Sequence, residues 1–312
     1  MVAENGFSKL MDVISSLSKE DIFSLIIETF NKFSDIDKKN VAGYFTTYPF
    51  WGSFDPENGN YEALRERARI LYDHHDDFIW LHGRLADEKS RNVLYAILSS
   101  WIGFDSTLLS EYKEREQPEY YIKDVFPPRT NEVFVDVGAY TGDSVANFIV
   151  TYGMDFKRIY CYEIAPDSFN ALKKNLTGIP DIDMRQKAAG AAAGTMYIDF
   201  GNEVSSERVS DHGEAEIEVV SIDDDIEEPV TFIKMDIEGG EKAALQGCRR
   251  QIQENHPRLA ISTYHGYDDI YAIPRLVDET APGYKFYMRY HGGNLIPTEF
   301  SMLAVWGEDD TV

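Results

Sequence analysis

The stretch Val133-Phe-Val-Asp-Val-Gly-Ala-Tyr-Thr-Gly-Asp143 is the clearest indication of how this chain folds. An apolar strand ends at Asp136, and a turn from Gly138 to Gly142 leads into a helix that begins near Asp143. Glycines between a strand and a helix let the backbone approach a ligand closely, and the helix adds the positive end of its dipole. The stretch therefore predicts a nucleotide-type cofactor site in an α/β fold.

The spacing and the charge of this turn narrow the class of ligand. Dinucleotide sites place pyrophosphate on G-x-G-x-x-G, whereas three residues separate Gly138 from Gly142. Asp136 stands where it would repel a pyrophosphate, and it suits a ligand that carries an ammonium and a sulfonium group. A tight structural turn that binds nothing is the alternative explanation.

Two further strand ends carry carboxylates. Glu163 follows a second strand about twenty residues beyond Gly142, where nucleotide-binding α/β folds place an acceptor for ribose hydroxyls. In Phe232-Ile-Lys-Met-Asp-Ile-Glu-Gly-Gly-Glu241, three acidic residues gather between a strand and a helix: Asp236, Glu238 and Glu241. The carboxyl ends of strands are the edge where open α/β sheets bind ligands. Ordinary solvation of a strand end is the alternative for Glu163.

These segments, with Cys161-Tyr-Glu-Ile-Ala-Pro166 and Leu259-Ala-Ile-Ser-Thr-Tyr-His265, resemble the FkbM-type family of S-adenosylmethionine-dependent methyltransferases. The resemblance extends from Asn131 to about Trp306. It implies a Rossmann-like α/β fold, with a mostly parallel seven-stranded sheet, a terminal antiparallel hairpin and helices on both faces. Tyr140 departs from the family pattern, in which many relatives have Asn near this position.

The resemblance also implies roles for individual residues. The turn would contact the methionine part of S-adenosylmethionine, Glu163 the ribose, and the end of the third strand, Asp183–Ala188, the adenine. The cofactor-binding residues implied are Asp136, Gly138, Ala139, Tyr140, Gly142, Asp143, Glu163, Ile164, Lys187, Ala188 and Asp236. The catalytic residues implied are His265, Asp236 and Glu238. Asp236 and Glu238 would face the methyl group and the acceptor, and His265 would close the far side of the same edge.

Methyl transfer to an alcohol needs alignment of the acceptor with the methyl group and a base that accepts the hydroxyl proton. An imidazole titrates near about pH 6.5, so His265 is a candidate base, with Asp236 and Glu238 as competitors. A structural histidine at a strand end is the alternative for His265. The three carboxylates are also compatible with Mg²⁺, but we predict no metal because Glu241 lies a turn into its helix, where it favours the amino terminus.

Outside this region the chain divides at Phe126-Pro-Pro-Arg-Thr130, because a double proline cannot continue a helix. Residues 128–312 alternate strands and helices and form the predicted methyltransferase domain. Residues 1–127 form the predicted helical region, with a capping box at Ser18–Asp21, a helix over Tyr61–Leu81 and a loop over Tyr44–Asn60. The aromatic residues of that loop either line a pocket or pack onto the body, and packing is the favoured alternative. The helical region is expected to cover the acceptor or to form a homodimer contact.

Composition limits the partners. The 312 residues carry a formal net charge of −24, which repels nucleic acid, so we expect a small-molecule or glycan acceptor. Two cysteines provide no disulfide framework, and no apolar run approaches the roughly 20 residues that span a bilayer. With no signal peptide visible in the sequence, we expect a cytoplasmic protein without membrane association.

The sequence thus favours an S-adenosylmethionine-dependent methyltransferase that methylates a hydroxyl of a sugar, a glycan or a secondary metabolite. Two alternatives belong to other classes. One is a nicotinamide-dependent oxidoreductase, against which Asp136 and the glycine spacing argue. The other is a non-catalytic, cofactor-binding protein that uses its helical region for interaction.

Overall fold

The computed structural model describes residues 2–199, 208–210, 215–293 and 296–307. Contacts divide the chain into two compact units that interleave in sequence. The first unit comprises Met1–Glu116, Thr263–Pro274 and Lys285–Met302, and the second comprises Gln117–Ser262, Arg275–Tyr284 and Leu303–Val312. The sequence boundary near Pro127 between two domains stays a prediction.

The amino-terminal part of the first unit is helical. Its α-helices are α1 Val2–Ser16, α2 Lys19–Asn31, α3 Asp35–Thr47, α4 Glu62–Asp73, α5 His75–Arg84, α6 Glu88–Gly103 and α7 Thr107–Tyr112. The capping box at the start of α2 is confirmed, because the Ser18 side chain accepts from the Asp21 N–H and the Asp21 carboxylate accepts from the Ser18 N–H. Ile22, Ile26 and Phe30 then bury one face of α2, which packs against α4 and α6.

Two details of the predicted helical region are wrong. The helix predicted over Tyr61–Leu81 is two helices, α4 and α5, which separate at His74, whose backbone is not helical. The loop predicted from Tyr44 begins only after Thr47, where α3 ends. The helix is capped by Ser34 and buries Val41 and Phe45. Hydrophobic spacing alone does not distinguish one long helix from two that share a buried face.

The second unit supplies most of the sheet strands. The strands of the chain are β1 Glu132–Val137, β2 Phe156–Tyr162, β3 Ile182–Arg185, β4 Ala188–Ala189, β5 Gly194–Asp199, β6 Arg208–Ser210, β7 Ala215–Val220, β8 Phe232–Met235, β9 Arg258–Ser262, β10 Tyr284–Tyr290 and β11 Phe300–Trp306. Seven of them form a sheet in the order β10-β11-β9-β8-β1-β2-β3. The later helices are α8 Asp143–Tyr152, α9 Pro166–Asn175, α10 Ile222–Asp225, α11 Glu241–Gln246, α12 Arg249–Asn255 and α13 Asp269–Thr280.

The predicted fold class is confirmed. β1 pairs in parallel with β2 and with β8, β8 with β9, and β2 with β3, which is the pattern of crossover connections through helices. An aromatic cluster fixes α8 against the sheet: the rings of Phe134 and Phe148 stack at 4.6 Å, and Phe232 lies 5.3 Å from Phe134. Burial of these large rings supplies much of the hydrophobic stabilisation of the unit.

The strand predicted over Asp183–Ala188 is also wrong in detail. It is two strands in two sheets, because β3 ends at Arg185 and β4 begins at Ala188. β4 pairs with β7 in a second sheet of order β4-β7-β5-β6. Among the described residues, no helix is long and apolar enough to cross a membrane.

Candidate functional site

The glycine turn after β1 is held by close backbone packing within the second unit. Gly138 has a φ of +82°, and a β-carbon there would collide with the backbone carbonyl oxygen of Asp236. The N–H groups of Gly138 and Ala139 donate to the carbonyl of Tyr162 at 3.0 and 2.9 Å. Gly142, with a φ of +88°, is the N-cap of α8 and lies against the side chains of Leu172 and Leu176. Glycine is therefore required at Gly138 by space as well as by conformation.

A buried ion pair lies beneath this turn. The Asp136 carboxylate is fully buried, and one of its oxygens lies 3.1 Å from the Lys234 ammonium, which also donates to the Gly138 carbonyl at 2.7 Å. The Ser144 hydroxyl donates to the other carboxylate oxygen. Burial raises the pKa of Asp136, although Lys234 and Ser144 oppose the rise. Burial lowers the pKa of Lys234, but Asp136 and Asp236 outweigh it, so this pKa is raised overall.

Glu163, at the end of β2, shapes the same turn from the other side. Its two carboxylate oxygens accept the backbone N–H groups of Tyr140 and Ala165, each at 2.8 Å. Burial raises the pKa of Glu163, and these two hydrogen bonds oppose the rise. A carboxylate has about four lone-pair positions, so these two bonds leave acceptor capacity for a ligand hydroxyl. Tyr140 itself is 46% exposed, with a φ of +46°.

The carboxylates after β8 have three different environments. Asp236 accepts a hydrogen bond from the Tyr120 hydroxyl at 3.0 Å, and that hydroxyl lies 2.9 Å from the Ser262 oxygen. Glu238 is exposed in a left-handed conformation, with a φ of +55°. Glu241 is buried and accepts the N–H of Ile237 at 2.8 Å, so it stabilises the turn that leads into α11.

The residues predicted to lie beside the adenine belong to the edge between the two sheets. The Lys187 ammonium pairs with Glu218 at 3.0 Å and with Asp225 at 3.2 Å. Ala188 is buried in a small apolar cluster of the second sheet, and Ile164 packs against that cluster. Asp143, the first residue of α8, is exposed. The second unit thus contains every predicted site residue except His265.

His265 lies in the first unit and is buried. Its ring is 4.3 Å from the ring of Tyr264 and 5.1 Å from that of Phe50, measured between centroids. The next residue, Gly266, donates its N–H to the Asp269 carboxylate at 2.5 Å. His265 is therefore part of an aromatic wall, and its role as a base stays a prediction.

Sequence reasoning missed three polar residues that organise this site: Lys234, Tyr120 and Ser144. Lys234 had a visible signal, since it is a lysine inside the otherwise apolar strand Phe232–Met235, and a buried lysine needs a nearby carboxylate. Tyr120 had none, because it reaches Asp236 across 116 positions of sequence. Ser144 occupies an ordinary position in the first turn of a helix.

Comparison with known proteins connects this geometry to one family. Residues 136–286 match the profile of the methyltransferase FkbM domain. The chain carries an FkbM methyltransferase domain. Every residue predicted for the site, from Asp136 to His265, falls inside the matched range, and the suspected family is confirmed.

One solved structure agrees with the FkbM assignment. The crystal structure of methyltransferase FkbM from Methylobacillus flagellatus KT is similar, with a TM-score of 0.64 and 27% identity over 78% of this chain. The chain spans 65% of the length of that protein.

More distant structures are less similar. An rRNA methylase from Streptococcus thermophilus has 13% identity and a TM-score of 0.39, covering 57% of this chain and 89% of that one. Aeropyrum pernix fibrillarin, in complex with natively bound S-adenosyl-L-methionine, has 12% identity and a TM-score of 0.36, covering 58% of this chain and 68% of that one. TM-scores this low do not support the transfer of a substrate or an activity from these proteins to this chain. Among curated proteins, no sequence matches this chain.

Proposed function

We propose that this protein is an S-adenosylmethionine-dependent methyltransferase that methylates a hydroxyl group of a sugar, a glycan or a secondary metabolite. The observation that carries the proposal is the set of carboxylates around the glycine turn of the FkbM domain. Glu163 directly follows β2, Asp236 directly follows β8, and Asp143 begins α8. A negatively charged edge of this kind favours a cationic cofactor.

The residues around the turn fit S-adenosylmethionine better than a nicotinamide dinucleotide. A pyrophosphate needs unpaired cations or backbone N–H groups beside the glycine turn. Here the Lys234 ammonium is buried against Asp136, and the Tyr140 N–H is already bound by Glu163. The remaining acceptor capacity of Glu163 suits two neighbouring ribose hydroxyls, and the carboxylates suit an ammonium group.

S-adenosylmethionine, when bound, supplies an activated methyl group. The residues of the chain then have to align the acceptor hydroxyl and accept its proton. Asp236 is a candidate for this task, because the Tyr120 hydroxyl holds one of its oxygens and orients the carboxylate. His265 and Glu238 are the other two candidates. The acceptor is proposed to be a small molecule or a glycan, since a net charge of −24 disfavours nucleic acid.

Calorimetry on the full chain tests the cofactor. We expect S-adenosylmethionine and its demethylated product to bind with a micromolar Kd. Gly138→Ala is expected to weaken this binding at least about tenfold, because the new β-carbon displaces the turn from Asp236. Gly153→Ala is the matched control, since Gly153 also has a positive φ, of +89°, but open space around its α-carbon.

Two results would contradict the cofactor proposal. One is the absence of heat from both ligands with a folded protein, and the other is tight binding of NADH. If Gly138→Ala binds as well as Gly153→Ala, the glycine turn is not the binding element.

Turnover tests the catalytic residues. With an acceptor found among hydroxylated compounds, Asp236→Asn and His265→Ala should each lower kcat by about 10²–10⁴-fold, the usual contribution of a general base. His75→Ala, a histidine on α5, is the control and should leave kcat unchanged. Unchanged rates for both Asp236→Asn and His265→Ala would remove these two residues from the mechanism.

A further inference from the structure

The first unit contains a cleft of about 650 Å³, a size typical of small-molecule sites. Its walls come from α2, from the segment around Phe50 and Trp51, from the start of α4, and from Gly266–Asp268. The cleft was not foreseen as such from the sequence, which left open whether the loop aromatics line a pocket. Phe50 and Trp51 do line it, whereas Phe45 and Phe54 of the same region are buried in the core.

Aromatic rings form one part of the lining. Phe23, Phe50, Trp51, Tyr61 and Tyr267 all contribute to the cleft. Trp51 is fixed in place, because its indole N–H donates to the Tyr264 carbonyl at 3.0 Å and its ring lies 6.1 Å from that of Tyr267. Trp51 and Tyr267 are each only 5% exposed, so the more accessible ring faces are those of the half-buried Phe50 and Tyr61. Aromatic faces beside polar groups suit a ligand that has both C–H faces and hydroxyl groups.

Fixed polar groups form another part of the lining. Glu62 accepts from the Ser53 hydroxyl at 2.6 Å, and Asn60 donates to the same hydroxyl at 2.7 Å. Hydrogen bonds from the Ser53 hydroxyl and the Ser53 backbone N–H lower the pKa of Glu62, so its carboxylate stays an acceptor at neutral pH. On α4, Arg69 holds Glu66 through two hydrogen bonds of 2.8 and 2.5 Å. Oriented acceptors and donors of this kind can each bind a hydroxyl group.

The charges of the lining argue against a phosphate-bearing ligand. Every lysine or arginine that lines the cleft already has a carboxylate partner. Lys19 pairs with Asp73 at 3.0 Å, Arg65 with Glu20 at 3.5 Å, and Arg69 with Glu66. A phosphate would have to compete with these carboxylates and with Glu62 for each cation. The lining therefore favours an uncharged ligand.

We propose that this cleft binds an uncharged saccharide of one or two pyranose rings, with the ring faces on the aromatic residues and the hydroxyls on the polar ones. The predicted base is close to this cleft within the same unit. His265 directly precedes three lining residues, Gly266–Asp268, and its ring is 5.1 Å from that of Phe50. The proposal names the acceptor class and so rests on the proposed function, but saccharide binding is measured without any cofactor.

Saturation-transfer NMR with the full chain tests the proposal directly. The probes are the methyl glycosides of glucose, galactose, mannose, rhamnose and N-acetylglucosamine, together with maltose. A charged arm contains glucose 6-phosphate and UDP-glucose. We expect at least one uncharged probe to receive saturation on its ring protons and to bind with a millimolar Kd or tighter. We expect neither charged probe to bind more strongly.

Variants locate the binding in the cleft. Phe50→Ala and Arg65→Ala should each raise the Kd of the bound glycoside at least about fivefold. The first removes a stacking face, and the second removes an N–H donor to a sugar hydroxyl. Tyr112→Ala and Lys32→Ala are controls outside the lining, and they should bind like the parent protein. Arg65 is exposed, so its variant keeps the test valid if Phe50→Ala does not fold.

Three outcomes would overturn the proposal: no uncharged probe binds, a charged probe binds better, or both cleft variants bind like the parent. Calorimetry with S-adenosylmethionine on the same samples separates this failure from failure of the proposed function. A protein that binds the cofactor but no glycoside contradicts only the saccharide cleft. A protein that binds a glycoside but not the cofactor contradicts only the methyltransferase proposal.

Discussion

Lys234 in the second unit and Arg67 in the first are both buried cations, but their surroundings differ. Lys234 has a full counter-charge, the Asp136 carboxylate at 3.1 Å. Arg67 donates instead to the Tyr267 hydroxyl and the Trp101 carbonyl, both at 3.1 Å, and its guanidinium faces the ring of Phe104 at 5.0 Å. Within the described residues, no carboxylate lies at ion-pair distance from Arg67.

The difference follows from the chemistry of the two side chains. An ammonium is a compact, strongly hydrated charge, so burial beside the glycine turn requires a carboxylate. A guanidinium is planar and more weakly hydrated, so neutral oxygens and aromatic faces can replace its water. The buried cation of the second unit is therefore paired with a carboxylate, whereas that of the first unit is held by neutral oxygens and aromatic rings.

The largest expected effect is that of Lys234→Met. It leaves the Asp136 carboxylate buried without its counter-charge, which should lower the free energy of unfolding by about 3–5 kcal/mol at neutral pH. Urea denaturation measures the change. The double variant Asp136→Asn/Lys234→Met is the control and should regain most of the loss, because it buries no charge. If Lys234→Met lowers the free energy of unfolding by less than about 1 kcal/mol, Asp136 does not depend on Lys234 as its counter-charge.

Arg67→Met should have the second-largest effect and lower the free energy of unfolding by about 2–4 kcal/mol. It removes two charge-assisted hydrogen bonds and the contacts of the guanidinium with aromatic rings. Arg67→Lys is the informative companion: a compact ammonium should be worse than Met in a site without a carboxylate. If Lys restores the stability, the planar guanidinium is not what this site requires.

A smaller effect is the pH dependence that distinguishes the two cations. In Lys234→Met the folded-state pKa of Asp136 should rise further above its unfolded value, so the folded protein holds the proton more tightly than the unfolded chain. Stability then falls as pH rises from the ordinary carboxyl range toward the folded-state pKa, by at most about 1.4 kcal/mol per pH unit. Urea denaturation at about pH 5 and about pH 8 measures this dependence. The free energy of unfolding should decrease more between these two pH values in Lys234→Met than in the parent. The free energy of unfolding of Arg67→Met should change with pH as it does in the parent. If Lys234→Met also shows the pH dependence of the parent, Lys234 is not the counter-charge of Asp136.

The smallest effect concerns the exposed cations of the cleft. Arg65→Ala removes a surface ion pair whose side chains are 58% and 76% exposed, so the free energy of unfolding should change by less than about 1 kcal/mol. Lys32→Ala removes the exposed ion pair with Glu28 and should change the free energy of unfolding by the same small amount. A loss of more than about 2 kcal/mol for Arg65→Ala alone would mean that this side of the cleft supports the fold.

Much of the second unit was predictable from local patterns. The apolar strand before Asp136, the glycines after it and the alternation of strands and helices indicated the family and the sheet. The first unit was less predictable, because helix ends such as His74 depend on packing rather than on composition. The split of Asp183–Ala188 into two strands of two sheets likewise reflects tertiary pairing, which hydrophobic alternation does not encode.

Residue type and short spacing in the sequence were enough to indicate the glycine turn and the carboxylates at the strand ends, and the net charge gave the expectation that polyanionic partners are disfavoured. The tertiary structure was needed to show that Lys234 pairs with Asp136, that Tyr120 donates to Asp236, and that Phe50 and Trp51 line a cleft. Contacts of this kind join residues as far apart as 116 positions. Their geometry is set by how whole elements pack, and no local pattern along the chain records it.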